Sequence, residues 1–585
     1  MCARFRLQRG RVAFYEGFTT TFALPRRCFM RKDKTSGEAP APAPETNRRQ
    51  LLEGLGLAGL FAAAPASNAE AKVHKRHKAP ATDIDRALRE HVQTIVVLFA
   101  ENRSFNNLFA GFPGLQSPLS EVPPERCVQR DRDGTPLKTL PKIWGGLVKD
   151  EQVVNHQTFR VGEDEITGLA NAPFTLKTPD GDPLPQGVVT RDLVHAFYQN
   201  QLQINGGKND GFAAWGDSGG LVMGHYGDND VNLRLWNIAR DYVLCDNFFM
   251  GAFGGSFLNH QYLVTAQPPF YPDADKSVAR GQIADVEDGP HGFRLKPVAD
   301  MPKSAMDGPA RFGASALSPD FYAVNTMRPP YAPSSTRTDP ASPYADASNS
   351  STLPPQLHAT IGDRLSDKGI DWAWYSGGWD LALAGQTGRG NDYPARPNFQ
   401  DHHQPLNYFK RFAPGTKDRD HHLRDAGMDE TPRTNKFLAD AAAGKLPPVT
   451  FYKPQGNLNM HAGYSDVDSG DRHIANIIAA LQAGPQWANM VVVITFDENG
   501  GWWDHVAPPK GDRWGPGTRV PALVVSPFAK KGHVDHTVYD TGSIARLIIR
   551  RFGLRTLPGL KEREDGMMAH EGFKPGDLTA ALHFG

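Results

Sequence analysis

Two runs of apolar residues constrain the fold more than any other feature of this chain: Thr94-Ile95-Val96-Val97-Leu98-Phe99-Ala100 and Met490-Val491-Val492-Val493-Ile494-Thr495. Neither alternates apolar with polar, so each reads as a strand covered on both faces, the condition of strands inside a parallel sheet. Each run ends on acid and amide groups, Glu101-Asn102 after the first and Asp497-Glu498-Asn499-Gly500-Gly501 after the second. The carboxyl edge of a parallel sheet is where α/β proteins set their functional groups. Brought to one edge, Glu101, Asn102, Asp497 and Glu498 offer four oxygen ligands to a hard divalent cation of the Ca, Mg or Mn class. Singly, each ending also reads as an ordinary turn with solvated acids. Together they point to a metal-dependent hydrolase.

The remaining pattern is that of an α/β chain with a central, mostly parallel sheet flanked by helices. Further strands are expected at 372–375, 449–452 and 522–525, with helices between them at 473–483 and 543–551. The stretch from about 268 to 355 breaks the rhythm, is rich in Pro, Ser, Asp and Ala, and reads as a loop-rich insertion over the active-site edge. With 64 basic and 64 acidic side chains the net charge is zero, which argues against a nucleic-acid partner.

Residues 1–71 read as a leader, 72–90 as a linker and 91–585 as the folded domain. Asn47-Arg48-Arg49-Gln50-Leu51-Leu52 pairs two arginines with the short apolar stretch 51–66, followed by small-x-small sites at 67–71. That is the pattern of a Tat export signal, with Met30 as an alternative start. It predicts a periplasmic or secreted protein that contacts the export machinery transiently and has no integral membrane span. Cys2 and Cys28 would leave with the signal, and no disulfide is predicted between Cys127 and Cys245.

Gly254-Gly255-Ser256-Phe257-Leu258-Asn259-His260-Gln261-Tyr262 places Ser256 after two glycines at the start of an expected helix. Backbone N–H groups and the positive helix end would favour a phosphate there, although taken alone a Ser in this position fits an N-cap better. His402 and His403, in Asp401-His402-His403-Gln404-Pro405, and His461, in Asn459-Met460-His461, sit in polar loop contexts; so does His195, with His156 as its competitor. Such residues can hold a phosphoryl oxygen or protonate a leaving alkoxide.

These segments, together with Glu101-Asn102-Arg103-Ser104-Phe105, Asn205-Gly206-Gly207-Lys208-Asn209-Asp210-Gly211-Phe212 and Val534-Asp535-His536-Thr537, resemble the bacterial acid phosphatase and phospholipase C family of the alkaline phosphatase superfamily. The resemblance runs in order over roughly 90–555. It implies a single-metal phosphoesterase with Ser256 as nucleophile, Glu101, Asn102, Asp497 and Glu498 as metal ligands, and His195, His402, His403 and His461 as phosphate-contacting or acid–base groups. Gly-Gly-Ser stands where phospholipase C members have Gly-Pro-Thr, and Asn106 where the family usually has Asp. Both are closer to the acid phosphatase branch. The expectation is therefore a phosphate-monoester hydrolase working through a phosphoserine at acid pH, with His403 or His461 as the acid. The alternatives are a phospholipase C, with Trp502-Trp503 or Trp372 and Trp374 able to cage a quaternary ammonium, and an exported protein that only binds a phosphate or glycan ligand.

Overall fold

In the computed structural model, which describes residues 82–585 apart from 290–291, 389–394 and 429–432, the two apolar runs are neighbouring strands of one sheet. The leader and its arginine pair lie outside the described residues. The predicted linker ends as a helix, Asp83–His91, capped by Thr82 and tied by an Asp85–Arg550 ion pair of 2.6 Å to helix Gly542–Phe552.

Eight strands make the sheet: β1 (Thr94–Ala100), β2 (Val243–Cys245), β3 (Trp372–Gly377), β4 (Leu423–Gly427), β5 (Val449–Lys453), β6 (Met490–Phe496), β7 (Ala522–Val525) and β8 (His533–Asp535). Their order is β4-β3-β5-β1-β6-β7-β2-β8, and every neighbouring pair is parallel except the two made by β7. All seven residues of β1 and of β6 are buried. Burial of a Val or Ile side chain stabilises by about 1.5–3 kcal/mol, so the centre of the sheet is the centre of the core. The mostly parallel α/β class predicted from the sequence is the one observed.

Register then places the chemistry. Ala100 pairs with Phe496 in β1 and β6, so Glu101 and Asp497 leave the sheet side by side. The ladder runs one step further, with Asp497 N–H donating to Ala100 O at 3.1 Å. Beyond it, Asn102 N–H donates to Asp497 Oδ1 at 3.0 Å. Asn102 sits at φ 59°, a left-handed turn that asparagine tolerates. Gly500, at φ 61°, passes so close that a Cβ there would stand 2.3 Å from Asn102 O, and only glycine fits.

Helix Ser256–Thr265 follows β2 and is buried along its whole length. The Pro-rich stretch 268–355 holds a short hairpin, Val286–Gly289 with Gly292–Leu295, and several of its loop residues wall the cavity described below. Trp372, Trp374, Trp502 and Trp503 are buried packing residues. Trp374 donates to His403 O at 3.0 Å, and Trp503 donates to Asn209 O at 2.8 Å. None of the four lines the cavity, so none can cage a ligand cation there. Asn209, from the glycine-rich 205–212 stretch, donates to Asp504 O and Val506 O, so this motif fixes a loop rather than meeting a ligand. Cys127 and Cys245 are both buried and unpaired.

Candidate active site

Ser256 is the first residue of its helix, and Gly255 occupies the cap position without a side-chain cap bond. The N-cap reading therefore falls. The hydroxyl instead faces three oxygens, Asn102 Oδ1 at 3.2 Å and Glu101 Oε2 and Glu498 Oε1 at 3.4 Å each. Gly254, at φ 91°, makes the approach possible, because a Cβ there would meet Phe197 N at 2.4 Å. Ser256 opens into a cavity of ≈ 1360 Å³ that His195, His402 and His461 also line.

The four predicted ligands converge. Asn102 turns Oδ1 to Ser256 and its amide nitrogen to His195 Nε2 at 3.3 Å. Asp497 Oδ1 accepts from Asn102 N–H and Glu498 N–H, while Asp497 Oδ2 is buried without a hydrogen-bond partner. Glu498 Oε2 accepts from Gly500 N–H. Glu101 is divided: His403 Nε2 stands 2.7 Å from Oε1, the Lys453 ammonium lies against that same oxygen, and Oε2 faces Ser256.

Burial acts on all three acids, with different outcomes. It pushes Glu101 up, but the nearby His403 and Lys453 charges overcome it and hold Glu101 well below the usual carboxylate range. Burial and the negative Glu101 raise Asp497 to about 7. Burial raises Glu498 well above its ordinary value against the opposing pull of His195. Three clustered carboxyl groups and an orphaned Asp497 oxygen are what a hard cation relieves, so the donor set fits a divalent metal. Glu101, His260 and His403 also offer converging ligand atoms. That side of Glu101 carries the Lys453 ammonium, which repels a cation, so the oxygen set is favoured.

The histidines separate by environment. Burial lowers His403 to about 4 against the pull of Glu101, and lowers His461 and, further still, His402. His195 goes the other way. Burial lowers it, but Glu498 at 3.6 Å and Asp192 at 3.7 Å outweigh that and lift it to about 9. Asn102 makes the opposite demand, its amide donating to a neutral Nε2. His156 is exposed at a hairpin tip and does not line the cavity, which settles the competition for His195.

Two neighbours escaped the sequence reading. His260, one turn after Ser256, donates to Ser256 O at 2.7 Å from between Glu101 and Asp497. Lys453 ends β5. The available signal for Lys453 was a lysine closing an apolar run at the same sheet edge; for His260 it was the i, i+4 spacing from Ser256.

Residues 92–555 match the Phosphoesterase family. The chain belongs to that family. It is 23% identical to a non-hemolytic phospholipase C of Pseudomonas aeruginosa over 84% of this chain and 57% of that protein. It is also 23% identical to phospholipase C B of Mycobacterium tuberculosis, over 84% of this chain and 78% of the relative. Identity reaches 33% with non-specific phospholipase C6 of Arabidopsis thaliana, over 20% of this chain and 29% of that one. The chain thus spans little more than half of the Pseudomonas relative. A solved structure from Vibrio parahaemolyticus, in the alkaline phosphatase superfamily, overlaps 59% of this Phosphoesterase chain and 63% of its own, at TM-score 0.28 and 8% identity.

Proposed function

We propose that this protein is a metal-dependent hydrolase of phosphate monoesters that works through a phosphoserine at Ser256. The observation that carries the reading is the Ser256 hydroxyl, first in its helix, ringed by three ligand oxygens and open to a cavity lined by histidines. Glu101, Asn102, Asp497 and Glu498 would hold the metal, which when bound supplies charge for the phosphoryl oxygens and lowers the hydroxyl pKa. Ser256, its proton already lost to solvent, attacks phosphorus in line as the alkoxide and leaves again as the alkoxide when water releases phosphate. His195 takes the role of acid that the sequence reading gave to His403 or His461, because it alone of the site histidines is raised, and it protonates the departing alkoxide. The same group, now neutral, accepts a proton from the water that releases phosphate. His402 and His461, held neutral by burial, donate hydrogen bonds to the phosphoryl oxygens, while His403 stays against Glu101.

One observation favours a phospholipase C-type diester as a second reading. The cavity lining carries five acids, Asp150, Glu151, Asp192, Asp217 and Asp466, and among the described residues no Lys or Arg. Such a rim suits a substrate whose alcohol carries a cation, and the curated relatives are named phospholipases C. Turnover of p-nitrophenyl phosphate against p-nitrophenyl phosphorylcholine, with and without chelator, separates the two. A preference for the diester overturns the monoester assignment, and turnover that chelator leaves untouched overturns the metal. Export by the Tat route belongs to the same proposal. Replacing Arg48 and Arg49 by Lys should keep the protein in the cytoplasm, and unchanged export would remove it.

A further inference from the structure

Lys453 is fully buried at the end of β5. Its ammonium donates to Phe99 O at 3.1 Å and lies against Glu101 Oε1, the oxygen that faces away from Ser256. It touches neither Ser256 nor the cavity. A buried lysine with no route to the reacting atoms acts through its charge, and the charges around it are few. Glu101, Asp497 and Glu498 together bring three negative charges when ionised, Asn102 brings none, and His195, 3.6 Å from Glu498, brings one positive charge while protonated.

We propose that Lys453 biases the valence of the metal site: its fixed positive charge against Glu101 Oε1 offsets one of the three carboxylates whatever charge His195 carries, which favours a divalent ion over a trivalent one. The inference rests on the metal site proposed above. Three buried carboxylates would otherwise favour a trivalent cation, because attraction scales with the product of charges and is strengthened where the effective dielectric is low. By holding Glu101 Oε1, Lys453 also leaves Oε2 alone on the ligand side. Lys453 is a positioning residue and takes no part in bond making.

The test uses the full protein with Mn²⁺ and Tb³⁺ as probes, binding being read by competition against Tb³⁺ luminescence. In Lys453→Met the affinity for both ions should rise, with Tb³⁺ gaining on the order of 10–100-fold over Mn²⁺ for one unit of charge a few ångströms away. Lys453→Arg should keep the wild-type ratio, which a merely structural role would not predict. Lys453→Gln provides the same comparison should the Met variant not fold. The wild type alone bears on the idea too, since equimolar Tb³⁺ should not displace bound Mn²⁺. A Tb³⁺/Mn²⁺ ratio unchanged within threefold in the folded variants, or ready displacement from the wild type, overturns the proposal. A wild type that binds neither ion sinks the metal site itself, a distinguishable failure.

Discussion

Replacing Ser256 by Ala separates the nucleophile from every structural role the residue could have. The hydroxyl caps nothing, since the cap position belongs to Gly255. Its contacts, at 3.2–3.4 Å, are long beside the 2.7–2.8 Å usual for O–H donors, and one proton can serve only one of the three oxygens. A hydrogen bond of normal length contributes about 1 kcal/mol net, so the loss here should be within about 0.5 kcal/mol. Loss of a true N-cap would cost about 1 kcal/mol. Removal of an attacking oxygen should lower turnover on the order of 10⁴-fold or more. The assay is steady-state p-nitrophenyl phosphate hydrolysis beside urea unfolding in chelator, so that metal binding does not enter the stability comparison. Activity retained within tenfold would refute the nucleophile. A stability loss above about 1 kcal/mol would show that Ser256 holds the helix start after all.

Three further outcomes follow from the geometry. Asp497→Asn should lose bound metal as well as turnover, by elemental analysis of purified protein, and unchanged metal content would remove Asp497 from the ligand set. Asp192→Asn should move the alkaline limb of the rate to lower pH. Asp192 is one of the charges that raise His195, and the shift should stay small because Asp192 is 51% exposed; an unmoved limb would detach His195 from proton donation. Asp540 is buried against Arg546 at 2.7 Å and Arg563 at 2.8 Å, which overcome its burial and hold it below the usual carboxylate range. A depressed folded value means stability present above the unfolded pKa and lost as pH falls through the folded one. Asp540→Asn should therefore cost about 3–5 kcal/mol at neutral pH and flatten the acid limb of a stability–pH curve, while a curve parallel to wild type would contradict the linkage.

The strands that place the site were legible because their burial is two-sided and leaves no periodicity to misread. β1, β3, β5, β6 and β7 were all visible as apolar runs. β4 was not, since Leu423-Arg424-Asp425-Ala426-Gly427 is an edge strand whose apolar run is broken by two partly buried charged residues. β8 was seen as a motif and missed as a strand because it is three residues long. Helix Val467–Ala483 begins six residues before the predicted start. Asp466 caps it by accepting from Ser469 N–H at 2.7 Å, ahead of the apolar face that periodicity detects. The four candidate oxygen ligands could be named from sequence because they follow strands, and the structure brings them together. The division of labour among the histidines could not, because it depends on distances between residues far apart in the chain. His195 sits at 3.6 Å from Glu498, some three hundred positions away, and that charge together with Asp192 raises it, while burial lowers His403.

Parallel register is what makes the site possible at all. Ala100 opposite Phe496 brings Glu101 beside Asp497, and Leu98 opposite Tyr452 brings Lys453 to the same edge from the other flank. A slip of one residue would invert the side chains of a whole strand. Apart from Thr94 and Thr495, the apolar sequences of β1 and β6 would tolerate such an inversion, since both faces are covered. Their burial pattern cannot specify the register, so the strand ends must. Asn102 N–H to Asp497 Oδ1 and the close pass of Gly500 over Asn102 O exist in one register only. The residues that build the site therefore also hold the two central strands in line, and Gly500→Ala should disturb metal binding and strand pairing together rather than either alone.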